Sequence, residues 1–254
     1  MAIEIEQFPC REDNFGVLVH DPQSGETAAI DAPETQPILD VLERKGWTIT
    51  HILCTHHHPD HVAGNADLKA RGAELIGPKG EADRIDGLDR TVSGGDAFTV
   101  CGQRVEVIDT PGHTSGHITY FMPEAGVVFT ADSLFSLGCG RLFEGTPEQM
   151  HESLQRIAAL PGETTIYCGH EYTRSNAEFA LTVDPDNDAL QRRADEVRRL
   201  REKGEPTLPV RLSDELAANP FLRPHDAAIR ERLGMQDASD AEVFAEIRRR
   251  KDNA

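Results

Sequence analysis

The segment Thr55-His56-His57-His58-Pro59-Asp60-His61 concentrates four imidazoles and a carboxylate within seven residues. Neutral imidazole nitrogen and carboxylate oxygen are the donors that Zn²⁺ and iron accept, so the chemistry implied is metal binding. The spacing supports this reading. Ile49-Thr50-His51-Ile52-Leu53-Cys54, just upstream, is β-branched and apolar without Gly or Pro, which predicts a buried strand. Pro59 prevents regular continuation and biases residue 58 away from helix. In extended backbone alternate side chains share a face. His56 and His58 therefore point together, His57 points away, and Asp60 and His61 follow the turn toward the same place. Clustered histidines also occur as solvated loop residues, but an H-x-H-x-D-H order directly after an apolar strand is a ligand pattern.

Three further strand ends carry candidate donors. Arg104 to Asp109 reads as a strand, followed by Thr110-Pro111-Gly112-His113-Thr114-Ser115-Gly116-His117, in which His113 or His117 is the candidate. Ile118 to Met122 and Val127 to Thr130 read as a hairpin whose second strand runs into Asp132. Thr164 to Cys168 reads as a strand ending in Gly169-His170-Glu171-Tyr172. Asp31 ends an earlier strand, Thr27 to Asp31, and is either a carboxylate that orients a ligand imidazole or an ordinary turn aspartate. Together His56, His58, Asp60, His61, His113, Asp132 and His170 make seven N/O donors. That is too many for one tetrahedral zinc and suits two metals, with Asp132 able to bridge them.

The elements around these turns mix strands and helices. Ile3 to Glu6, Phe15 to His20, Ala73 to Ile76 and Ala97 to Val100 read as further strands. Helices are expected over 34–46 with Gly46 as the stop, over 62–71, and from a capping box at Thr146-Pro147-Glu148-Gln149 to about Leu160. Cys139 to Gly145 reads as a Gly-bounded loop carrying Arg141 and Phe143. Beyond Tyr172 the pattern changes to helices over 173–183, 188–203, 225–233 and 240–251, interrupted by prolines, with Ser239-Asp240-Ala241-Glu242 capping the last. A boundary near 173 divides a metal-binding domain, 1–172, from a smaller helical domain, 173–254.

Composition narrows the function. The net charge is −18, and 16 of those charges belong to residues 1–172. An acidic chain is a poor non-specific binder of nucleic acid, because phosphate contacts need Lys and Arg. Five scattered cysteines without a CxxC pair suit reduced thiols in a cytoplasmic protein. Met1 to Glu6 lacks the basic and apolar regions of a signal peptide. No apolar run reaches the ~18 residues of a membrane span.

The histidine turn, Gly112-His113-Thr114, Thr130-Ala131-Asp132, Cys139-Gly140-Arg141 to Gly145-Thr146 and Cys168 to Tyr172 together resemble the metallo-β-lactamase superfamily. Within it the chain resembles the glyoxalase II, or hydroxyacylglutathione hydrolase, family. The likeness continues through Asn219-Pro220-Phe221-Leu222-Arg223 and the terminal Arg248 to Asp252, so it covers nearly the whole chain.

The resemblance implies an α/β fold, an αββα sandwich with a smaller C-terminal all-α domain. It implies two divalent ions per chain, zinc with iron or manganese as alternatives: one on His56, His58, His113 and Asp132, the other on Asp60, His61, His170 and Asp132. His57 and His117 belong to the motif without being ligands. The implied reaction is hydrolysis of S-D-lactoylglutathione to D-lactate and glutathione, a step in methylglyoxal detoxification. A metal-bridged hydroxide attacks the thioester, and Asp60 also hydrogen-bonds that hydroxide. The implied glutathione contacts are Arg141, Phe143, Tyr172, Arg248 and Lys251. Arg248 and Lys251, three apart, share one face of the last helix. Many relatives have Lys in place of Arg141 and often Tyr in place of Phe143, so the charge is kept and a phenol hydrogen bond is lost. The implied partner is the glutathione thioester alone, with no nucleic acid or membrane and with a monomeric chain. A glutathione persulfide dioxygenase with a single iron, or another thioesterase of this fold, is the alternative.

Overall fold

A computed structural model describes residues 3–254. Met1 and Ala2, where the reading of the leader starts, lie outside the described residues. The chain forms two compact units. One runs through Asp109 and takes in Ser115–Phe129; the other comprises Thr110–Thr114 and Thr130–Ala254.

The first unit begins with β1 (Glu4–Cys10), β2 (Asn14–His20) and β3 (Thr27–Ile30), an antiparallel meander. Helix α1 (Thr35–Lys45) then crosses to β4 (His51–Leu53), which pairs parallel to β3. Gly46 ends α1 in the left-handed conformation, as expected for its stop. Two short helices, α2 (Pro59–Val62) and α3 (Asn65–Lys69), lead to β5 (Glu74–Pro78), and β6 (Arg90–Val92) completes the six-stranded sheet in sequential order. Every residue of β2 is buried, and Leu18, Ile52, Leu53 and Leu75 are fully enclosed. Each such side chain contributes roughly 1.5–3 kcal/mol of burial. Strands β7 (Ala97–Val100), β8 (Gln103–Asp109), β9 (Ile118–Met122) and the start of β10 (Val127–Ala131) form an antiparallel meander. It is tied to the histidine strand where the Ile118 amide donates to the Thr55 carbonyl and the Tyr120 hydroxyl to the Cys54 carbonyl at 2.8 Å.

The second unit starts the carboxylate turn at the end of β10. A two-stranded hairpin follows, β11 (Leu134–Phe135) with β12 (Gly138–Cys139), then α4 (Pro147–Ala158) and β13 (Thr165–Cys168). The helices α5 (Thr173–Val183) and α6 (Asp188–Glu202) precede β14 (Val210–Arg211), which pairs with β13. Helices α7 (Leu212–Ala218), α8 (Ala227–Leu233) and α9 (Asp240–Asp252) close the chain. Both expected capping boxes form, Thr146 with Gln149 and Ser239 with Glu242.

Several element readings need correction. The single helix expected over 62–71 is two short ones, because Gly64 donates to the Ala32 carbonyl (2.9 Å) and the His61 carbonyl accepts from Ala32 (2.8 Å). Those tertiary bonds replace continuous helical ones. Cys139 belongs to a strand rather than to the loop. Strand β6 and the pair β14 and α7 have no counterpart in the sequence reading.

Candidate metal and substrate site

In the first unit the histidine turn forms where β4 runs out. Pro59 occupies the first position of α2, and His58 keeps extended torsions (φ −59°, ψ 141°), as the proline requires. His56 Nε2 and His58 Nδ1 lie 3.2 Å apart, whereas His57 turns to Glu81. The alternation expected of an extended segment is therefore present.

Asp31 organises this turn. It sits in the left-handed region (φ 56°) and is buried. One carboxylate oxygen accepts from the Thr55 amide at 2.7 Å; the other accepts from Thr55 Oγ1 and from His61 Nδ1, both at 2.8 Å. Because the Thr55 hydroxyl hydrogen goes to Asp31, Oγ1 accepts from His56 Nδ1 (3.0 Å). This network assigns Nδ1–H tautomers to both His56 and His61 and leaves Nε2 of each with a lone pair. Donor atoms of Asp31, His56 and His61 fall within 4.8 Å of one another. Asp60 is oriented by Asn14, whose Nδ2 donates to its carboxylate at 3.1 Å and to its carbonyl at 3.2 Å. Asp60 Oδ2 is 3.7 Å from His61 Nε2. His117, the alternative to His113, is buried in this unit with its ring centroid 4.9 Å from that of His56.

In the second unit three separate turns bring His113, Asp132 and His170 together. His113 Nε2 and His170 Nε2 are each 3.4 Å from Asp132 Oδ2, and all three residues are buried. His113 Nδ1 is 2.8 Å from the Arg141 carbonyl, which only accepts, so Nδ1 carries the hydrogen. A lone pair on Nε2 thus faces a carboxylate oxygen in a buried place, and a cation between them satisfies both. The donor set fits divalent metal: imidazoles, of which His56, His61 and His113 have the Nδ1–H held by an acceptor, and carboxylates of hard oxygen.

The backbone around these donors is tightly constrained. Ala131, next to Asp132, has φ 42°, and its carbonyl accepts from Gly169 beside His170. The segment from Cys139 to Gly145 is laced onto the His113 turn: Phe143 N donates to the His113 carbonyl and Gly145 N to the Gly112 carbonyl. At Gly140 a Cβ would lie 1.9 Å from the Asp132 carbonyl oxygen, so only glycine fits.

The expected substrate residues lie in the second unit. The Phe143 ring is exposed (61%) and stands edge-on to His113 at 5.2 Å. Tyr172 stacks on His170 with centroids 4.6 Å apart, and Phe135 packs edge-on against both. The Arg141 guanidinium is exposed and 3.6 Å from Asp252. Arg248 is buried: Nη1 donates to the Cys139 carbonyl at 2.9 Å, Nη2 to Asp252 at 2.8 Å, and the guanidinium covers the Phe221 ring. Lys251 Nζ donates to the Ser175 carbonyl at 2.9 Å and lies over the Phe179 ring. Partial burial, aided by Arg248, lowers the Lys251 pKa below the ordinary lysine value.

Several residues of the site carried no sequence signal. Glu81 and Asn14 reach the histidine turn from 24 and 46 residues away. Asn219, Asn176 and Glu215 hold the β11–β12 hairpin: Asn219 Nδ2 donates to the Phe135 and Gly138 carbonyls, Asn176 Nδ2 to the Ser136 carbonyl, and Glu215 accepts from Ser136 and from Leu137 N. Burial raises the Glu215 pKa against these donors. Burial pushes the Cys139 thiol up to about 11 although Arg248 stands beside it, and raises Cys54 and Cys168 as well, so these thiols are held in the protonated form.

Two sheets with flanking helices and histidine turns at strand ends describe the metallo-β-lactamase fold, and the model of the metallo-beta-lactamase superfamily matches residues 16–77 and 71–170. The model of the hydroxyacylglutathione hydrolase C-terminus matches residues 171–254. A hydroxyacylglutathione hydrolase of Mesorhizobium japonicum is 61% identical over 254 residues, covering all of both chains. One of Brucella anthropi is 61% identical over 251 residues, covering 98% of this chain and 96% of its own. Among solved structures, ETHE1 from Myxococcus xanthus superposes with a TM-score of 0.69 at 25% identity, over 98% of this chain and 90% of that one. The chain belongs to the hydroxyacylglutathione hydrolase family of the metallo-β-lactamase superfamily. It has the metallo-β-lactamase fold with a helical C-terminal part, in agreement with the fold expected from its sequence, and its fold and His/Asp clusters imply divalent metal. No described helix is long and apolar enough to cross a membrane.

Proposed function

We propose that the chain hydrolyses S-D-lactoylglutathione to D-lactate and glutathione using two divalent ions. His56, His58, His113 and Asp132 would hold one ion; Asp60, His61, His170 and Asp132 would hold the other, with zinc favoured by the imidazole-rich set. The observation that carries this reading is the buried Asp132 carboxylate, faced by Nε2 of His113 and of His170 at 3.4 Å each. When bound, the ions lower the pKa of a water and polarise the thioester carbonyl.

The protein side of the reaction follows from the chain's own groups. Asp31 and the Arg141 carbonyl hold the Nδ1 hydrogens of His61 and His113, which keeps the opposite nitrogens basic. Asp60, steadied by Asn14, accepts a hydrogen bond from the attacking oxygen nucleophile. The thiol leaving group needs no acid, because thiols are far more acidic than alcohols. Arg141, Phe143, Tyr172 and Lys251 contact the glutathione peptide, and Arg248 contributes by holding the Cys139–Arg141 segment to α9. Residues 1–172 supply the metal site and 173–254 the helical part of the substrate site, a division supported by the meeting of the two family matches at 170 and 171. The protein works as a cytoplasmic monomer; free, buried thiols suit a reducing compartment.

The test is thiol release from S-D-lactoylglutathione by metal-loaded protein, with His58→Ala as the control. Release by the wild type and its loss in a folded variant support the reading; a fully loaded wild type that releases no thiol overturns it.

A further inference from the structure

The middle histidine of the motif, His57, has no part in the ligand set, and the buried Glu81 has none in the mechanism. The two are joined. The Glu81 side chain is fully enclosed. Its Oε2 accepts from both the backbone N and the ring Nδ1 of His57, each at 2.6 Å, and its Oε1 accepts from the Gly116 amide at 3.1 Å. Arg84 Nη2 donates to His57 Nε2, so Nδ1 carries the hydrogen presented to Glu81.

The geometry points to Glu81 as a positioning residue for the metal ligands, acting through His57. This inference rests on the metal-site reading above. A lone buried carboxylate is costly to desolvate, and here three N–H donors offset that cost. All three come from two turns, residues 55–61 and 115–118. In extended backbone a clamp on the side chain and amide of residue 57 fixes the orientation of that residue, and with it the opposite face on which residues 56 and 58 lie. Glu81 also ties that clamp to the turn leading into β9. A Cβ at Gly116 would meet Glu81 Cγ at 2.5 Å, so the carboxylate and this turn are packed together without slack. Glu81 belongs to a short 3-10 turn, Lys79–Glu81, directly after β5, a place that presents a side chain at a set height above the sheet edge.

The substitution Glu81→Gln tests this. The amide keeps the shape but turns one acceptor into a donor, so either the His57 side or the Gly116 side meets N–H against N–H. Zn²⁺ affinity is measured by chelator competition, coordination geometry by the visible spectrum of Co²⁺-loaded protein, and kcat and KM with S-D-lactoylglutathione. For Glu81→Gln the expected result is roughly 10–100-fold weaker metal binding, an altered Co²⁺ spectrum, and a loss in kcat with KM nearly unchanged. If Glu81→Gln does not fold, His57→Leu gives the same readouts without burying a mismatched amide. His57→Asn, whose side-chain N–H reaches the Nδ1 position, is expected to recover most of the affinity lost in His57→Leu. Glu81→Gln or His57→Leu with unaltered metal affinity and Co²⁺ spectrum, beside a wild type that binds metal and turns over, overturns this inference alone. A folded wild type that binds no metal overturns the site reading and this inference with it.

Discussion

Replacing Arg248 by Met separates scaffolding from charge in the terminal helix. Arg248 is 5% exposed and makes one bond to a buried carbonyl, Cys139 O, at 2.9 Å. A hydrogen bond involving a charged group contributes about 1.5–3 kcal/mol, and its loss leaves that carbonyl unsatisfied. The pair with Asp252 is four residues along the helix with a partly exposed partner, so it adds only about 0.3–0.5 kcal/mol. The guanidinium over Phe221 adds about 0.5–2 kcal/mol, part of which a methionine sulfur restores. The expected destabilisation is therefore about 2–4 kcal/mol, a fall in melting temperature of roughly 5–12 °C for a chain of this size. Arg248→Lys keeps the charge but lacks the fork that reaches Cys139 and Asp252 together, and should lose about half as much. Urea unfolding of the metal-loaded variants followed by circular dichroism measures this. Arg248→Met within about 0.5 kcal/mol of the wild type would refute the bracing role. In the same variant KM should rise more than kcat falls, because Arg141 follows Cys139 by two residues.

Asp31→Asn removes the acceptor that fixes His61 Nδ1–H, and metal affinity measured by chelator competition should fall roughly 10–100-fold. Gly140→Ala forces a methyl group into the Asp132 carbonyl oxygen; the protein should lose metal stoichiometry as well as stability, both read on the purified variant. In the proposed contact Lys251 would act as a cation; its pKa is lowered, so the charge is present at low and neutral pH and is lost as pH rises through a value below 10.5. KM for the glutathione thioester should therefore climb on the alkaline side in the wild type, and the climb should be absent in Lys251→Met. At neutral pH Lys251→Ala should raise KM far more than it lowers kcat.

Much of this architecture was legible because its signals are local. The caps Thr146-Gln149 and Ser239-Glu242 bond within four residues, and Gly46 needs only its own backbone freedom. The facing of His56 and His58 against His57 follows from extended geometry and Pro59. Signals that depend on distant partners were not legible. The break between α2 and α3 is made by bonds to Ala32, roughly thirty residues earlier. Strand β14 is two residues long and exists only because β13 is beside it. Arg248 lies in the run Arg248-Arg249-Arg250-Lys251, which composition alone reads as a solvated basic helix end. Only one of those arginines is buried, and its partner is a carbonyl 109 residues away. Glu81 looks like any surface acid until His57 and Gly116 are folded onto it.

A two-metal thioester hydrolase needs two ions per chain for full activity. The most direct measurement titrates metal-free protein with Zn²⁺ while following thiol release from S-D-lactoylglutathione and bound metal on the same samples. Activity that rises to a plateau at two ions per chain, and that disappears with chelator, is the expected result. A plateau at one ion, or a protein with two bound ions and no thiol release, would contradict it.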